Sequence, residues 1–161
     1  DQAMRRLMLI RHAKSSWKSD APSDHSRPLN KRGRRAAPKV AQYLAARGWT
    51  PDLAYSSDAL RAIETWDLMA EPFKKPPMET HSELYHAGWD EFSEVVKGTP
   101  ATVHTLAVVG HNPGWEAVLE HLTGESIELK TADVALMESD DDEWPGTAWK
   151  LVEVVRARQR Q

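Results

Sequence analysis

The chain contains no cysteine among its 161 residues. Disulfide bonds, catalytic thiolates and cysteine-based metal sites are therefore excluded. It also lacks any apolar run near the ~20 residues that a membrane-spanning helix needs, so we expect no membrane partner. Nothing before Met4 has the pattern of a signal peptide, and a cytoplasmic location is the expectation.

Acidic residues are scarce in the first 50 positions, where 3 Asp/Glu accompany 12 Lys/Arg. The other 111 residues reverse this balance with 21 Asp/Glu against 9 Lys/Arg, which gives the whole chain a formal charge of −3. A basic first third can attract an anionic substrate, although a solvated helix explains most of these charges equally well. The basic stretch has no interleaved aromatic residues for bases to stack on, so we do not expect nucleic acid as a partner.

Apolar residues follow strand-like and helix-like periods in turn along the chain. The predicted strands cover residues 7–10, 52–55, 78–81, 105–109, 132–138 and 147–155, and the predicted helices cover 31–47, 58–70, 88–97 and 113–123. This alternation predicts one α/β domain over residues 4–161 with a mainly parallel sheet. Residues 1–3, before Met4, look like an expression remnant.

Polar residues and proline mark the ends of the predicted helices. Asn30 is the expected N-cap of the first helix, and either Ser56 or Ser57 of the second. Asn112 is the expected N-cap of the last helix, with proline at its first position. Pro38 conflicts with the first helix and should kink or split it.

Five polar residues follow the ends of the predicted parallel strands. Parallel sheets bind ligands at the carboxyl ends of their strands. Arg11 and His12 come after the first strand and His111 after the fourth. Arg61 lies in the first turn of the second helix, and Glu83 lies beyond the third strand. We therefore expect two histidines, two arginines and a carboxylate on one rim of the sheet.

This set of residues suits the transfer of a phosphoryl group. Arginine matches phosphate oxygens with a planar fork of donors and keeps its charge. A neutral His12 in that field can attack phosphorus, and His111 can donate a hydrogen bond to the phosphoryl oxygens. A structural role is the alternative for each histidine taken singly. Zinc is the other use of paired histidines, but two arginines would repel it, so we expect no metal.

Several segments match a known family in order and spacing. The segment Leu9–Trp17 resembles the signature of the histidine phosphatase superfamily, in particular of its SixA-like branch, which has Arg-His-Ala-Lys at this point. Further similar segments are Arg27–Asn30 with Gly33, Ser56-Ser57 with Arg61, Ala62 and Thr65, Glu83–Tyr85, and Val109–Gly114. The resemblance covers residues 7 to about 124.

The resemblance implies a phosphate pocket formed by Arg11, His12, Arg61 and His111, with His12 phosphorylated during turnover. It implies a three-layer α/β/α sandwich of the phosphoglycerate mutase-like type, with no metal and no organic cofactor. SixA-like proteins remove phosphate from phosphohistidine, notably on phosphotransfer domains. A monomer that acts on such a protein is therefore the expectation.

Other polar residues have two interpretations each. Glu83 is a candidate general acid, and a surface carboxylate is an equally good interpretation. Asn112 either contacts phosphate or only caps its helix. The loop after His12 supplies a second tier of substrate-binding candidates, which are Lys14, Ser15, Trp17, Lys18 and Arg27.

Three functions are compatible with these residues. The first is a phosphatase acting on phosphohistidine in a signalling protein. The second is a phosphomonoesterase for a nucleotide or sugar phosphate, with Glu83 as the acid. The third, a non-catalytic phosphate-binding module, is disfavoured because the full set of Arg11, His12, Arg61 and His111 is present.

Overall fold

The computed structural model describes residues 4–160. The expected remnant at residues 1–3 and the last residue of the predicted domain, Gln161, lie outside the described residues. In chain order the elements are β1 (Arg5–Arg11), α1 (Lys31–Ala46), β2 (Leu53–Ser57), α2 (Leu60–Ala70), β3 (Met78–His81), α3 (Trp89–Lys97), β4 (Thr105–Gly110), α4 (Gly114–Thr123), β5 (Val134–Ser139) and β6 (Lys150–Val155). Short 3-10 helices follow β3 at Ser82–Leu84 and β6 at Ala157–Gln159.

The strands form one six-stranded sheet in the order β3-β2-β4-β1-β5-β6. Strands β1, β2, β3 and β4 pair in parallel, whereas β5 is antiparallel to both β1 and β6. The predicted mainly parallel sheet is therefore confirmed. The antiparallel pairing of β5 brings its first residue, Val134, to the carboxyl end of β1, where it lies opposite Ile10.

Helices cover both faces of the sheet, because the side chains of each strand alternate between the faces. Met8 and Ile10 of β1 pack in a cluster with α1 and α2, whereas Leu7 and Leu9 pack in a cluster with α3 and α4. All four of these residues are fully buried. The expected three-layer α/β/α sandwich is thus confirmed, with one apolar core on each side of the sheet.

Two of the predicted helix caps are wrong, and the predicted split of the first helix at Pro38 does not occur. Helix α1 runs through Pro38 without a break, and its N-cap is Asn30, as predicted. The N-cap of α2 is Ala59 rather than a serine, and Oγ of Ser57 accepts the N–H of Ala59 and bonds to Nε2 of His111. The N-cap of α4 is Pro113, because Nδ2 of Asn112 donates to the Glu116 side chain and to the carbonyl oxygen of Leu129 and its side chain caps no backbone N–H of the helix.

The strand register brings the ends of β1 and β4 side by side. Arg11 pairs with Gly110, and the N–H of His12 donates to the carbonyl of Gly110 at 3.0 Å. His12 and His111 therefore leave the sheet from adjacent positions. Among residues 4–160, no helix combines the length and the apolar composition that crossing a lipid bilayer requires.

Candidate active site

Two histidines and an arginine meet at the carboxyl edge of the sheet, as the sequence predicts. The ring centroids of His12 and His111 are 5.1 Å apart. The exposed fractions are 8% for His12, 4% for His111 and 4% for Arg61. Burying three polar side chains costs free energy of folding unless each is fully hydrogen-bonded. Proteins accept such a cost most often at functional sites. This cluster is therefore the leading candidate for a reactive centre.

The loop that carries His12 is fixed on two sides. A Cβ atom at Gly33, in the first turn of α1, would overlap the carbonyl group of Lys14. On the other side, the N–H of Ala132 lies 3.1 Å from the carbonyl oxygens of both Arg11 and His12. Helix α1 and the segment before β5 thus hold the backbone around His12, and only glycine leaves room for the close approach of α1.

The tautomer of His12 follows from its hydrogen bond. Nδ1 of His12 lies 2.6 Å from the carbonyl oxygen of Ala13, and a carbonyl oxygen can only accept. Nδ1 therefore carries the ring proton, and Nε2 carries the lone pair. Burial, followed by the charges of Arg61, Arg11 and Arg27, lowers the pKa of His12 to about 4. The ring is therefore neutral at physiological pH, and burial contributes more to this than the arginines do.

His111 is held by a serine at the end of β2. Its Nε2 lies 2.8 Å from Oγ of Ser57, whose oxygen also accepts the N–H of Ala59 at 3.2 Å. Within residues 4–160 no other acceptor is described for the hydroxyl hydrogen of Ser57, so we assign this hydrogen to the bond with Nε2. This arrangement leaves the ring proton of His111 on Nδ1. Burial, then the nearby His12 and Arg61, lower the pKa of His111 to about 3.

Arg61 is tied to a carboxylate that the sequence analysis did not single out. Its Nη2 donates to Oδ2 of Asp24 at 3.0 Å, and its Nη1 donates to the backbone oxygen of Asp24 at 2.7 Å. Tyr85 donates to the same Oδ2 at 2.6 Å, and Arg27 donates to Oδ1 at 3.0 Å. The Tyr85 hydroxyl, aided by Arg27 and Arg61, holds the pKa of Asp24 well below its usual range. Asp24 is therefore a permanent negative charge beside Arg61.

Arg11 is oriented by the segment that precedes β5. Its Nη1 donates to the carbonyl oxygen of Leu129 at 2.8 Å, and Nδ2 of Asn112 donates to the same oxygen at 2.7 Å. Glu116 completes the arrangement by accepting the N–H of Leu129 at 2.7 Å. Burial is the main reason that the pKa of Arg11 is lowered.

Three buried nitrogen atoms of this cluster lack a hydrogen-bond partner within residues 4–160. They are Nε of Arg11, Nε of Arg61 and Nδ1 of His111. Buried polar atoms are satisfied in the great majority of cases, so unpaired ones need an explanation. Arginine Nε carries a hydrogen, and Nδ1 of His111 carries one in the tautomer that Ser57 favours. All three are donors suited to an anion.

The second-tier candidates lie around this cluster rather than in it. Arg27 packs over the ring of Trp17, 3.6 Å from its centroid, and donates to Oγ of Ser15 at 2.8 Å. Trp17 is 80% exposed, and Lys14 and Lys18 are also exposed. These residues therefore form the rim of the site, with Arg27 linked to the centre through Asp24.

The structure places Glu83 on the surface, in the 3-10 helix after β3. Its side chain is exposed and accepts a hydrogen bond from Oγ of Ser82 at 3.5 Å. No described hydrogen bond links it to His12 or His111, and its role as an acid stays a prediction. Among residues 4–160, no group of three or more His, Cys, Asp or Glu side chains is arranged to hold a metal ion.

Sequence reasoning missed Asp24, the contact of Tyr85 with it, and the pairing of Ser57 with His111. Asp24 lies in a long polar loop with no period, where nothing distinguishes it from its neighbour Asp20. Ser57 does stand at a strand end, which was a usable signal, but its position also fits a helix cap.

Comparison with known proteins agrees with this geometry. Residues 7–128 match the model of the histidine phosphatase superfamily (branch 1). An uncharacterized chloroplastic protein of Arabidopsis thaliana is 38% identical over 165 residues, covering 91% of this chain and 75% of the relative.

Two solved structures assigned as the phosphohistidine phosphatase SixA share the fold. The Agrobacterium tumefaciens protein is 28% identical with a TM-score of 0.82, covering 94% of this chain and 97% of its own. The Nakamurella multipartitia protein is 27% identical with a TM-score of 0.84, covering 95% of this chain and 96% of its own. The chain therefore belongs to the histidine phosphatase superfamily.

Proposed function

We propose that this phosphatase uses Nε2 of His12 as its nucleophile and passes through a phosphohistidine intermediate. The lone pair of Nε2 forms a bond to phosphorus, and the bond between phosphorus and the leaving group breaks with its electron pair going to that group. Water then attacks phosphorus, the P–N bond breaks, and inorganic phosphate leaves with the electron pair returned to Nε2. The hydrogen bond from Nδ1 to Ala13, which leaves Nε2 unprotonated, supports this assignment.

The observation that carries the proposal is the set of unpaired donors at the same edge of the sheet. In this proposal Arg11, Arg61 and His111 contact the phosphoryl oxygens through nitrogen atoms that have no partner within residues 4–160. Their hydrogen bonds strengthen as charge builds on the equatorial oxygens during transfer. Asn112 shares the Leu129 carbonyl with Arg11, so we assign it a positioning role beside the phosphate.

The substrate that we propose is phosphohistidine in a protein. An alkyl phosphate needs a proton donor for its alkoxide leaving group. Glu83 is exposed and has no described hydrogen bond to the cluster. Phosphohistidine needs less help, because the free nitrogen of its ring takes up a proton from water and the ring then leaves as neutral imidazole. The likeness to proteins assigned as SixA supports the same substrate.

The first test is chemical trapping. The wild-type protein is incubated with a generic aryl phosphate, quenched and digested, and the modified peptide is identified. We expect acid-labile phosphate on His12. His12→Asn should lose about a thousandfold or more of the turnover. His104→Asn removes an exposed histidine outside the cluster and should retain full activity. Unchanged turnover in His12→Asn would contradict the proposal.

The second test concerns the leaving group. Rates are compared on a phosphorylated phosphotransfer domain and on a panel of nucleotide and sugar phosphates, with wild type and Glu83→Gln. We expect a strong preference for the phosphoprotein and no loss of that activity in Glu83→Gln. A preference for a metabolite, together with a loss in the variant, would favour the small-molecule phosphomonoesterase with Glu83 as its acid.

A further inference from the structure

A cleft of about 600 Å³ lies beside the catalytic cluster, at the same edge of the sheet. Its walls are the exposed side of α1, the segment before β5 and the 3-10 helix after β6. We call it the basic cleft, because seven of its lining residues are Lys or Arg and two are Asp or Glu. Its volume is within the range of small-molecule pockets. Such pockets are lined mainly by large apolar side chains, whereas the apolar residues that line this cleft are alanines.

Among residues 4–160, most of this positive charge has no acidic partner. Asp133, 2% exposed, pairs with Arg156 at 2.7 Å and also accepts the backbone N–H groups of Lys130 and Ala157. Asp133 and Arg156 thus cancel, which leaves six cations against Glu128 in the lining. Within residues 4–160, none of those six cations takes part in an ion pair.

The placement of these cations on α1 opposes the stability of the helix. The first turn of α1 contains Lys31 and Arg32 and no acidic residue. A helix N-terminus carries partial positive charge, so cations there are unfavourable and acidic residues are the usual choice. The same arrangement adds the helix dipole to the positive potential of the cleft. An anionic ligand explains a charge pattern that folding alone disfavours.

The spacing of the cations matches an extended row of carboxylates. Arg32, Arg35 and Lys39 are exposed and lie three and four residues apart, so they share one face of α1 over roughly 10 Å. A single phosphate would reach only part of this row. In the part of the chain that the structure describes, no aromatic residue lines the cleft on which a nucleobase could stack. An acidic protein segment fits better than a nucleotide or a nucleic acid.

The basic cleft adjoins the backbone of the nucleophile. Lys14, which lines the cleft, follows His12 by two residues, so their Cα atoms are at most about 7 Å apart. Ala132, in the opposite wall, donates to the carbonyl oxygens of Arg11 and His12. The basic cleft and His12 are therefore close enough for the surface of one protein substrate to contact both.

We propose that the basic cleft docks an acidic segment of the protein substrate while its phosphorylated residue occupies the catalytic cluster. This inference rests on the proposed function, because it requires the substrate to be a protein. Docking through charges of this kind changes the association rate and KM of the protein substrate and leaves the chemical step at His12 unchanged.

The test uses charge reversal on α1. The variant Arg32→Glu/Arg35→Glu/Lys39→Glu is compared with Lys74→Glu/Lys97→Glu/Lys150→Glu, which changes the net charge equally at exposed sites outside the cleft. The probe is a short fluorescein-labelled helical peptide with Glu at i, i+3, i+4 and i+7, followed by anisotropy at low ionic strength. We expect the α1 variant to bind about tenfold more weakly and the control variant to bind nearly as wild type does.

Turnover separates this inference from the proposed function. On a phosphorylated phosphotransfer domain we expect the α1 variant to raise KM about tenfold with kcat unchanged, and on an aryl phosphate to match wild type. If wild type turns over neither substrate, the proposed function fails whatever the peptide result. If the peptide does not bind wild type, if both variants weaken binding equally, or if single-stranded DNA binds the cleft more tightly than the peptide, the docking inference is wrong.

Discussion

The ring of His12 donates from Nδ1 to the carbonyl oxygen of Ala13, and Ala13 is itself tied to α2. The N–H of Ala13 donates to Oγ1 of Thr65 at 2.9 Å, and that hydroxyl donates to the carbonyl oxygen of Arg61 at 2.7 Å. The orientation of the proposed nucleophile therefore depends on a short chain of hydrogen bonds from the end of β1 to the first turns of α2. Thr65 is fully buried, so no solvent competes for these contacts.

Thr65→Val should lower kcat on an aryl phosphate by about tenfold, because it leaves the N–H of Ala13 without an acceptor and loosens the peptide that orients His12. Valine keeps the shape of the side chain, so the circular dichroism spectrum should be unchanged. Thr65→Ser is the matched control and should recover most of the rate, since it restores the hydroxyl. Equal rates in wild type and Thr65→Val would show that this hydrogen bond does not matter.

Acidification should destabilise the fold through the buried histidines. His12 binds a proton near pH 6.5 when unfolded and near pH 4 when folded, so the unfolded state holds more protons between those values. The free energy of unfolding should therefore fall as the pH falls from about 6.5, with a loss of roughly 3 kcal/mol from His12 complete below about pH 4. His111, with a pKa lowered to about 3, adds a loss in the same direction.

Urea unfolding near pH 7 and near pH 4.5 measures this effect. The difference between the two pH values should be smaller in His12→Asn than in wild type, because asparagine does not titrate. His104→Asn, at an exposed position, should preserve the wild-type difference. An unaltered pH dependence in His12→Asn would mean that His12 takes up its proton as readily in the folded state as in the unfolded one.

Ser57→Ala should reduce kcat/KM on an aryl phosphate by about tenfold. Without the Ser57 hydroxyl, Nε2 of His111 loses its partner and the preference for a proton on Nδ1 disappears. The control is Ser56→Ala, which is equally buried but whose hydroxyl donates to the Ser57 carbonyl rather than to the ring. The two variants should therefore differ in rate, and the proposed role of Ser57 fails if they do not.

Asp24→Asn should strengthen the binding of inorganic phosphate several-fold, measured as competitive inhibition. Asparagine can still accept a hydrogen bond from Arg61, but the negative charge beside the proposed phosphate site is gone. Asp20→Asn, on the same loop and exposed, should leave the inhibition constant unchanged. Weaker inhibition in Asp24→Asn would indicate that the charge of Asp24 is needed to hold Arg61 in place.

Much of this fold could be read from local patterns. Each predicted strand and helix is present with ends shifted by a few residues, because apolar periodicity reports which face of an element is buried. The rule that ligands bind at the carboxyl ends of parallel strands also brought His12, Arg61 and His111 together correctly. Helix caps were harder, since a serine or asparagine at a strand end can serve either a helix or a neighbouring loop.

The sequence by itself determined the two apolar faces of the sheet, the absence of cysteine, and the position of Arg11, His12 and His111 at strand ends, with Arg61 in the first turn of a helix. Only the tertiary structure decided the protonation states of these residues and the charges beside them. The pKa of His12 depends first on burial, the tautomer of His111 on Ser57, and the charge beside Arg61 on Asp24 from a loop without any period. The reason is physical. Burial and hydrogen bonds between residues far apart in the chain arise only when the elements pack, and no local pattern records them.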